Sequence, residues 1–306
     1  MSAIRPSWDA QRAAIARRLA EFGIASPEAE ARWLTETASG HDGVEWLAIS
    51  RGAPHDRAQA HLDAMVEQRV RGEPLQYVLG SWAFRELELM VDRRVLIPRP
   101  ETEWVVEIAL EEATRVGLRR GGRAALDGAT RATVADLGTG SGAIALALAR
   151  DLPDTLVWAT DASADALSVA AANVAGCGAT RVRLAEGSWF AALPRDLRGQ
   201  LALVVSNPPY IAEHEVAELP TEVADHEPRG ALVSGPTGLE AVEELVAEAP
   251  GWLAPGAALV VEIAPHQADA AVGRAREAGF IEVEVRDDLA GRARVLVARV
   301  RSERVG

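Results

Sequence analysis

The residues with the clearest capacity for chemistry are Asn207-Pro208-Pro209-Tyr210. They follow Leu201–Val205, an apolar run that reads as a buried strand, with Ser206 at its end. Two successive prolines lack backbone N–H groups and fix φ, which makes this a stiff, non-helical loop. Asn207 brings one carbonyl acceptor and two amide donors, Pro208 keeps a free carbonyl, and Tyr210 offers a flat aromatic face. Together they suit a planar substrate group carrying an NH2: two acceptors for its two hydrogens and a ring to hold its plane. A plain turn after a strand is the competing explanation, because Asn-Pro often marks one.

Upstream, Asp136-Leu137-Gly138-Thr139-Gly140-Ser141-Gly142 closes another apolar run and opens a helical pattern. Glycines there let the chain turn sharply and approach a ligand, and the helix N-terminus leaves N–H groups free for an anion. Asp161, at the end of the next expected strand, can accept from both hydroxyls of a ribose. Trp189, after the third, could cover an adenine edge or close the end of the core. Gly138-x-Gly140-x-x-Ala143 also fits the relaxed dinucleotide fingerprint, so NAD stays open. The tight glycine alternation after Asp136 and the loop at Asn207 favour S-adenosylmethionine.

These groups need a scaffold. From Ala132 the pattern alternates strand and helix, which implies a parallel sheet covered on both faces. Strands are expected at 133–137, 156–160, 181–185, 201–205, 257–263, 281–285 and 295–300, the last two antiparallel at the sheet end. Helices are expected at 143–151, 164–175, 239–252 and 267–278. Residues 1–74 read as a helical bundle, with Ser26 capping a helix that starts at Pro27. Its tryptophans, Trp8, Trp33 and Trp46, are expected in the core. Residues 75–98 read as a β-hairpin linker containing Tyr77–Leu79 and Phe84–Ile97. A helix opens at Arg99-Pro100-Glu101, and 117–131 reads as a surface loop.

The 306 residues carry a net charge of −13, and every basic residue other than histidine is arginine. Such a balance argues against a general electrostatic grip on nucleic acid. One cysteine, Cys177, excludes an intrachain disulfide and suits a reducing compartment. No histidine spacing suggests a metal, and His214 and His226 are expected at the surface. No apolar run approaches a membrane span and no signal peptide is evident. A soluble cytoplasmic protein is the expectation.

The chain resembles the protein-(glutamine-N5) methyltransferases that modify peptide-chain release factors, the PrmC/HemK family. The resemblance is collinear from about Arg71 to Val300. It rests on Arg71–Tyr77, Leu96–Glu103, Asp136–Gly142, Ser206–Ile211, Glu227-Pro228 with Ala231-Leu232, and Glu262-Ile263. It implies a Rossmann-like class I S-adenosylmethionine-dependent methyltransferase sheet at 99–306 and an N-terminal domain that docks the substrate. The implied substrate is the glutamine of a release factor's Gly-Gly-Gln motif. Gly138, Thr139, Gly140, Ser141 and Gly142 would line the cofactor, Asp161 would bind its ribose, and Trp189 would lie near the adenine. Asn207 and the Pro208 carbonyl would accept from the glutamine amide, with Pro209 and Tyr210 completing the corner and Asn207 bordering the cofactor. No metal, membrane or direct nucleic-acid partner is implied. Ser188 stands where relatives carry aspartate, and Ala264-Pro265 replaces a glycine. The alternative activity is adenine-N6 methylation of nucleic acid, the same loop gripping a flipped base. A nucleotide-binding scaffold without catalysis is a third.

Overall fold

The computed structural model describes residues 5–118 and 132–302. The chain divides into two compact units, one comprising residues up to Ser81 together with Thr221–His226, the other the remainder.

In the first unit, helices α1 (Trp8–Glu21), α2 (Pro27–Ser39), α3 (Gly43–Ile49) and α4 (Asp56–Val70) surround a core that includes Leu19, Leu34, Leu62 and Met65. Ser7 caps α1 by accepting from the Ala10 N–H, and Gly40 stops α2 in the left-handed region. Trp8 and Trp46 are buried, edge to face, with centroids 5.9 Å apart. Trp33 is only partly buried, and Val44 and Leu47 on α3 face solvent. Ser26 precedes α2, but its side chain makes no capping bond. Arg69 is buried against Glu30 and also donates to Glu222, which ties the distant Thr221–His226 helix into this unit.

Residues 75–98 differ from the expected hairpins. Leu75–Leu79 forms a helix, α5, because Leu75 and Val78 pack at helical spacing and Gly80 ends it at φ 77°. A single hairpin follows, β1 (Ser81–Phe84) and β2 (Leu87–Met90); Val95 and Ile97 are buried in irregular chain. Then comes α6 (Pro100–Arg115), with proline in its first turn and Glu101 and Glu103 near the positive end of its dipole. Most of the expected 117–131 loop lies outside the described residues.

The second unit is built on alternating elements: β3 (Thr133–Leu137), α7 (Ala143–Asp151), β4 (Leu156–Asp161), α8 (Ala164–Gly176), β5 (Val182–Glu186) and β6 (Leu201–Ser206). After them come a short strand β7 (Ile211–Ala212), then α9 (Thr221–His226), which belongs to the first unit, and, back in the second, α10 (Arg229–Leu232), β8 (Val233–Gly235) and α11 (Glu240–Glu248). The chain closes with β9 (Leu253–Glu262), α12 (Ala268–Glu277), β10 (Glu282–Asp287) and β11 (Ala293–Arg299). The seven-stranded sheet has the order β10-β11-β9-β6-β3-β4-β5. β11 pairs antiparallel with both β9 and β10; the other pairs are parallel. One apolar layer gathers α6 and α7 against the sheet, and the other gathers α11 and α12, so both faces are covered. The helix expected at 239–252 stops at Glu248 and passes into a 3₁₀ turn containing Pro250.

β3 lies between β4 and β6. Parallel pairing of Asp136 with Ala159 and with Val205 brings the ends of all three strands together. The chain departs to opposite sides of β3 there, and open α/β sheets place ligands at that point.

Candidate functional site

The turn after β3 is made by main-chain geometry. Gly138, Gly140 and Gly142 have φ of 74°, 55° and 86°, where a Cβ is strained. A Cβ on Gly138 would also come 3.1 Å from Trp189, whereas one on Gly140 would meet nothing. The Gly138 and Thr139 N–H groups both donate to the Thr160 carbonyl. Asp136 Oδ2 accepts from Thr139 Oγ1 at 2.6 Å and from the Ala145 N–H at 3.0 Å, joining strand, turn and helix. Burial pushes the Asp136 carboxyl up to about 7, against the effect of those two donors. Its Oδ1 is buried and unpartnered. Asn173, on α8, donates to the Ser141 carbonyl.

Asp161 ends β4, and its two carboxylate oxygens accept from the Gly140 and Ser163 N–H groups, each at 2.9 Å. Trp189 has φ 42°, unusual for a bulky residue, and its indole N–H donates to Glu244 at 3.0 Å. This pose sets the ring against Gly138.

The loop after β6 is held by side chains from far along the sequence. Asn207 Nδ2 donates to Thr102 Oγ1 at 3.0 Å, and the Thr102 hydroxyl donates to Glu262 at 2.8 Å. Asn207 Oδ1 is buried without a hydrogen-bond partner. Gln267 Nε2 donates to the carbonyls of Tyr210 and Gly238, and Gln267 Oε1 accepts from Ala264. Burial pushes the Glu262 carboxyl up to about 7; the Thr102 hydroxyl and Arg294 oppose this. Tyr210 is pushed up to about 12, by burial first and the Glu262 charge second.

A cavity of about 470 Å³ in the second unit is lined by Gly138–Ser141, Asp161, Trp189, Thr102, Asn207 and Pro209. The glycine turn and the Asn207 loop therefore open into one space. Pro208 and Tyr210 are not among its lining residues: Pro208 is buried, and Tyr210 is anchored through its carbonyl to Gln267. Gly142, the last of the expected glycines, packs towards Leu146 and Ala170. His214 is exposed as expected, whereas His226 is partly buried. Among the described residues no group of three or more possible metal ligands occurs, and no helix is long and apolar enough to cross a membrane.

The sequence alone did not indicate Thr102, Glu262 or Gln267 as parts of the site. Thr102 and Glu262 each sit in a stretch that carries the family resemblance, but 160 positions separate them. No spacing rule links such a pair.

The sheet order, the glycine turn and the acidic end of β4 define a class I, Rossmann-like methyltransferase fold. The chain is similar in structure to the catalytic domain of hMettl16, solved in complex with the MAT2A 3′UTR hairpin 6. The TM-score is 0.54 at 15% identity, over 82% of this chain and 84% of that one. Two family models match, the PrmC N-terminal domain at residues 11–80 and the methyltransferase small domain at 123–226. The release factor glutamine methyltransferase of Deinococcus radiodurans is 39% identical over 282 residues, 92% of this chain and 94% of that one. That of Moorella thermoacetica is 40% identical over 290 residues, 94% and 96% of the two chains. The chain belongs to the release factor glutamine methyltransferase family.

Proposed function

We propose that this chain transfers a methyl group from S-adenosylmethionine to the side-chain amide nitrogen of the glutamine in the Gly-Gly-Gln motif of peptide-chain release factors. The observation that carries this reading is the single cavity shared by the glycine turn and the Asn207 loop. The residues present suit the cofactor: the left-handed turn leaves open space over Gly140, and the Asp161 carboxylate stands at the cavity wall. Gly138–Gly142, Asp161 and Trp189 would hold it. S-adenosylmethionine supplies a methyl carbon made electrophilic by its sulfonium; as the amide nitrogen bonds to that carbon the sulfur–methyl bond breaks, and S-adenosylhomocysteine is the leaving group.

The protein's part is to make a weak nucleophile adequate. An amide lone pair is delocalised into its carbonyl. Asn207 Oδ1 and the Pro208 carbonyl, accepting from the two amide hydrogens, would stabilise positive charge growing on that nitrogen. The stiff Pro208-Pro209 backbone and the Gln267 tie would keep these acceptors in place, which supplies orientation. No strong base is needed before attack, and the proton leaves afterwards to water.

Residues 1–74 would dock the release factor, 75–98 would serve as linker, and 99–306 would carry the transfer, in a cytoplasmic setting. Deleting 1–74 is expected to reduce methylation of an intact release factor more than that of a short Gly-Gly-Gln peptide. The central test is mass spectrometry of a release factor after incubation with enzyme and S-adenosylmethionine. A methyl on the Gly-Gly-Gln glutamine is expected; a methyl elsewhere, or none, would sink the reading.

A further inference from the structure

We propose that Thr102, itself held by Glu262, fixes the polarity of the Asn207 amide, so that the site takes a carboxamide and rejects the carboxylate of a glutamate at the same position. The inference rests on the methyl-transfer reading and names what selects its substrate. A threonine hydroxyl has one hydrogen. With Glu262 ionised, its carboxylate takes that hydrogen, 2.8 Å away. Only lone pairs then remain for Asn207, so the Asn207 atom 3.0 Å away has to be the donor, Nδ2. Asn207 Oδ1 is left as a buried acceptor with no partner, on a residue that lines the cavity.

A buried acceptor without a partner is an uncommon feature that a ligand donor can satisfy. A carboxamide brings an N–H donor to it. An ionised carboxylate brings only acceptors, which would face the oxygen of Asn207 without a proton between them. Without the Thr102 hydroxyl, the Asn207 amide could turn over and present Nδ2, and the distinction between the two substrates would weaken. Thr102 is thus a positioning residue: it acts on the substrate through Asn207. Pairs built on an obligatory hydrogen bond discriminate far more strongly than pairs that differ in apolar bulk.

The test compares wild type, Thr102→Val and Thr102→Ser. Each is given a release factor carrying Gly-Gly-Gln and its Gly-Gly-Glu counterpart as a competing ligand. Valine keeps the shape and removes the hydroxyl; serine returns it. For Thr102→Val, kcat is expected to fall roughly 10–100-fold, the scale of losing a partner that orients a reacting group. Its affinity for S-adenosylmethionine should stay within about twofold of wild type, a sign that the hydroxyl acts on Asn207 alone. Its preference for the glutamine over the glutamate factor should shrink, and Thr102→Ser should restore both kcat and preference. If Thr102→Val matches an active wild type in kcat and preference, or if serine restores neither, the relay is overturned while methyl transfer stands. A wild type that methylates no glutamine overturns both.

Discussion

The two loops that meet in the cavity are built differently. The turn after β3 is a local construction. Its left-handed glycines, the Thr160 carbonyl and the Asp136 carboxylate all come from within about one β-α-β unit. The loop after β6 is a long-range construction, fixed by Thr102, Glu262 and Gln267, which lie on or beside α6, β9 and α12. A main-chain cradle suits a cofactor recognised by its backbone-facing groups. A side-chain corner suits an acceptor that must be told from chemical relatives, because side-chain donors and acceptors can be set one at a time.

If this division is right, the two loops should fail in different ways. The largest effect is expected at Asn207. Asn207→Ala should lower kcat by about 10²–10³, the scale of losing one preorganised partner of a developing charge. Calorimetry should show nearly unchanged S-adenosylmethionine affinity; a variant that turned over normally would remove Asn207 from the mechanism. Asp161→Asn should do the reverse. Cofactor affinity should drop roughly 10–100-fold, as for a hydrogen bond to a charged group, with kcat at saturating cofactor largely kept. Equal affinity would count against the ribose contact.

Smaller effects sharpen the contrast. Gln267→Ala releases the Tyr210 and Gly238 carbonyls and should cost about 1–3 kcal/mol in denaturant unfolding. A severalfold loss in kcat should accompany it with no change in cofactor affinity. A matching loss of affinity would mean that the loops are not independent. The smallest effect is on stability against pH. Glu262 is held near 7 in the fold, above the roughly 4.3 of an unfolded glutamate, so its contribution is full below about 4.3 and is lost as pH rises through about 7. Asp136 adds the same trend. Wild-type unfolding free energy should therefore decline more steeply from pH 5 to pH 8 than that of Glu262→Gln. Parallel curves would show that Glu262 titrates as an ordinary carboxylate.

The alternating sheet was readable because its strands are near-continuous apolar runs separated by helical patterns. β3 and α7 fall on the expected residues, and the antiparallel end at β10 and β11 follows from the short link between them. Local composition misled at Tyr77–Leu79, where β-formers sit in a helix because packing, not propensity, decides so short a segment. It also gave no sign that Thr221–His226 belongs with the N-terminal helices, since the tie is an ion pair across 153 positions. Trp189 was legible as an aromatic at a strand end, but not its left-handed backbone.

By itself the sequence determined the parts that depend on neighbours along the chain. These are the glycine turn, the acid closing β4, the proline-stiffened corner and the order of elements that carries them. Propensity, φ restriction and apolar periodicity act over a few residues and leave their marks in the string. Only the tertiary structure decided which oxygen of the corner stays unpartnered, and which side chains hold it so. Hydrogen-bond polarity is passed from Glu262 through Thr102 to Asn207 by proximity in space, and folding alone brings those three residues together.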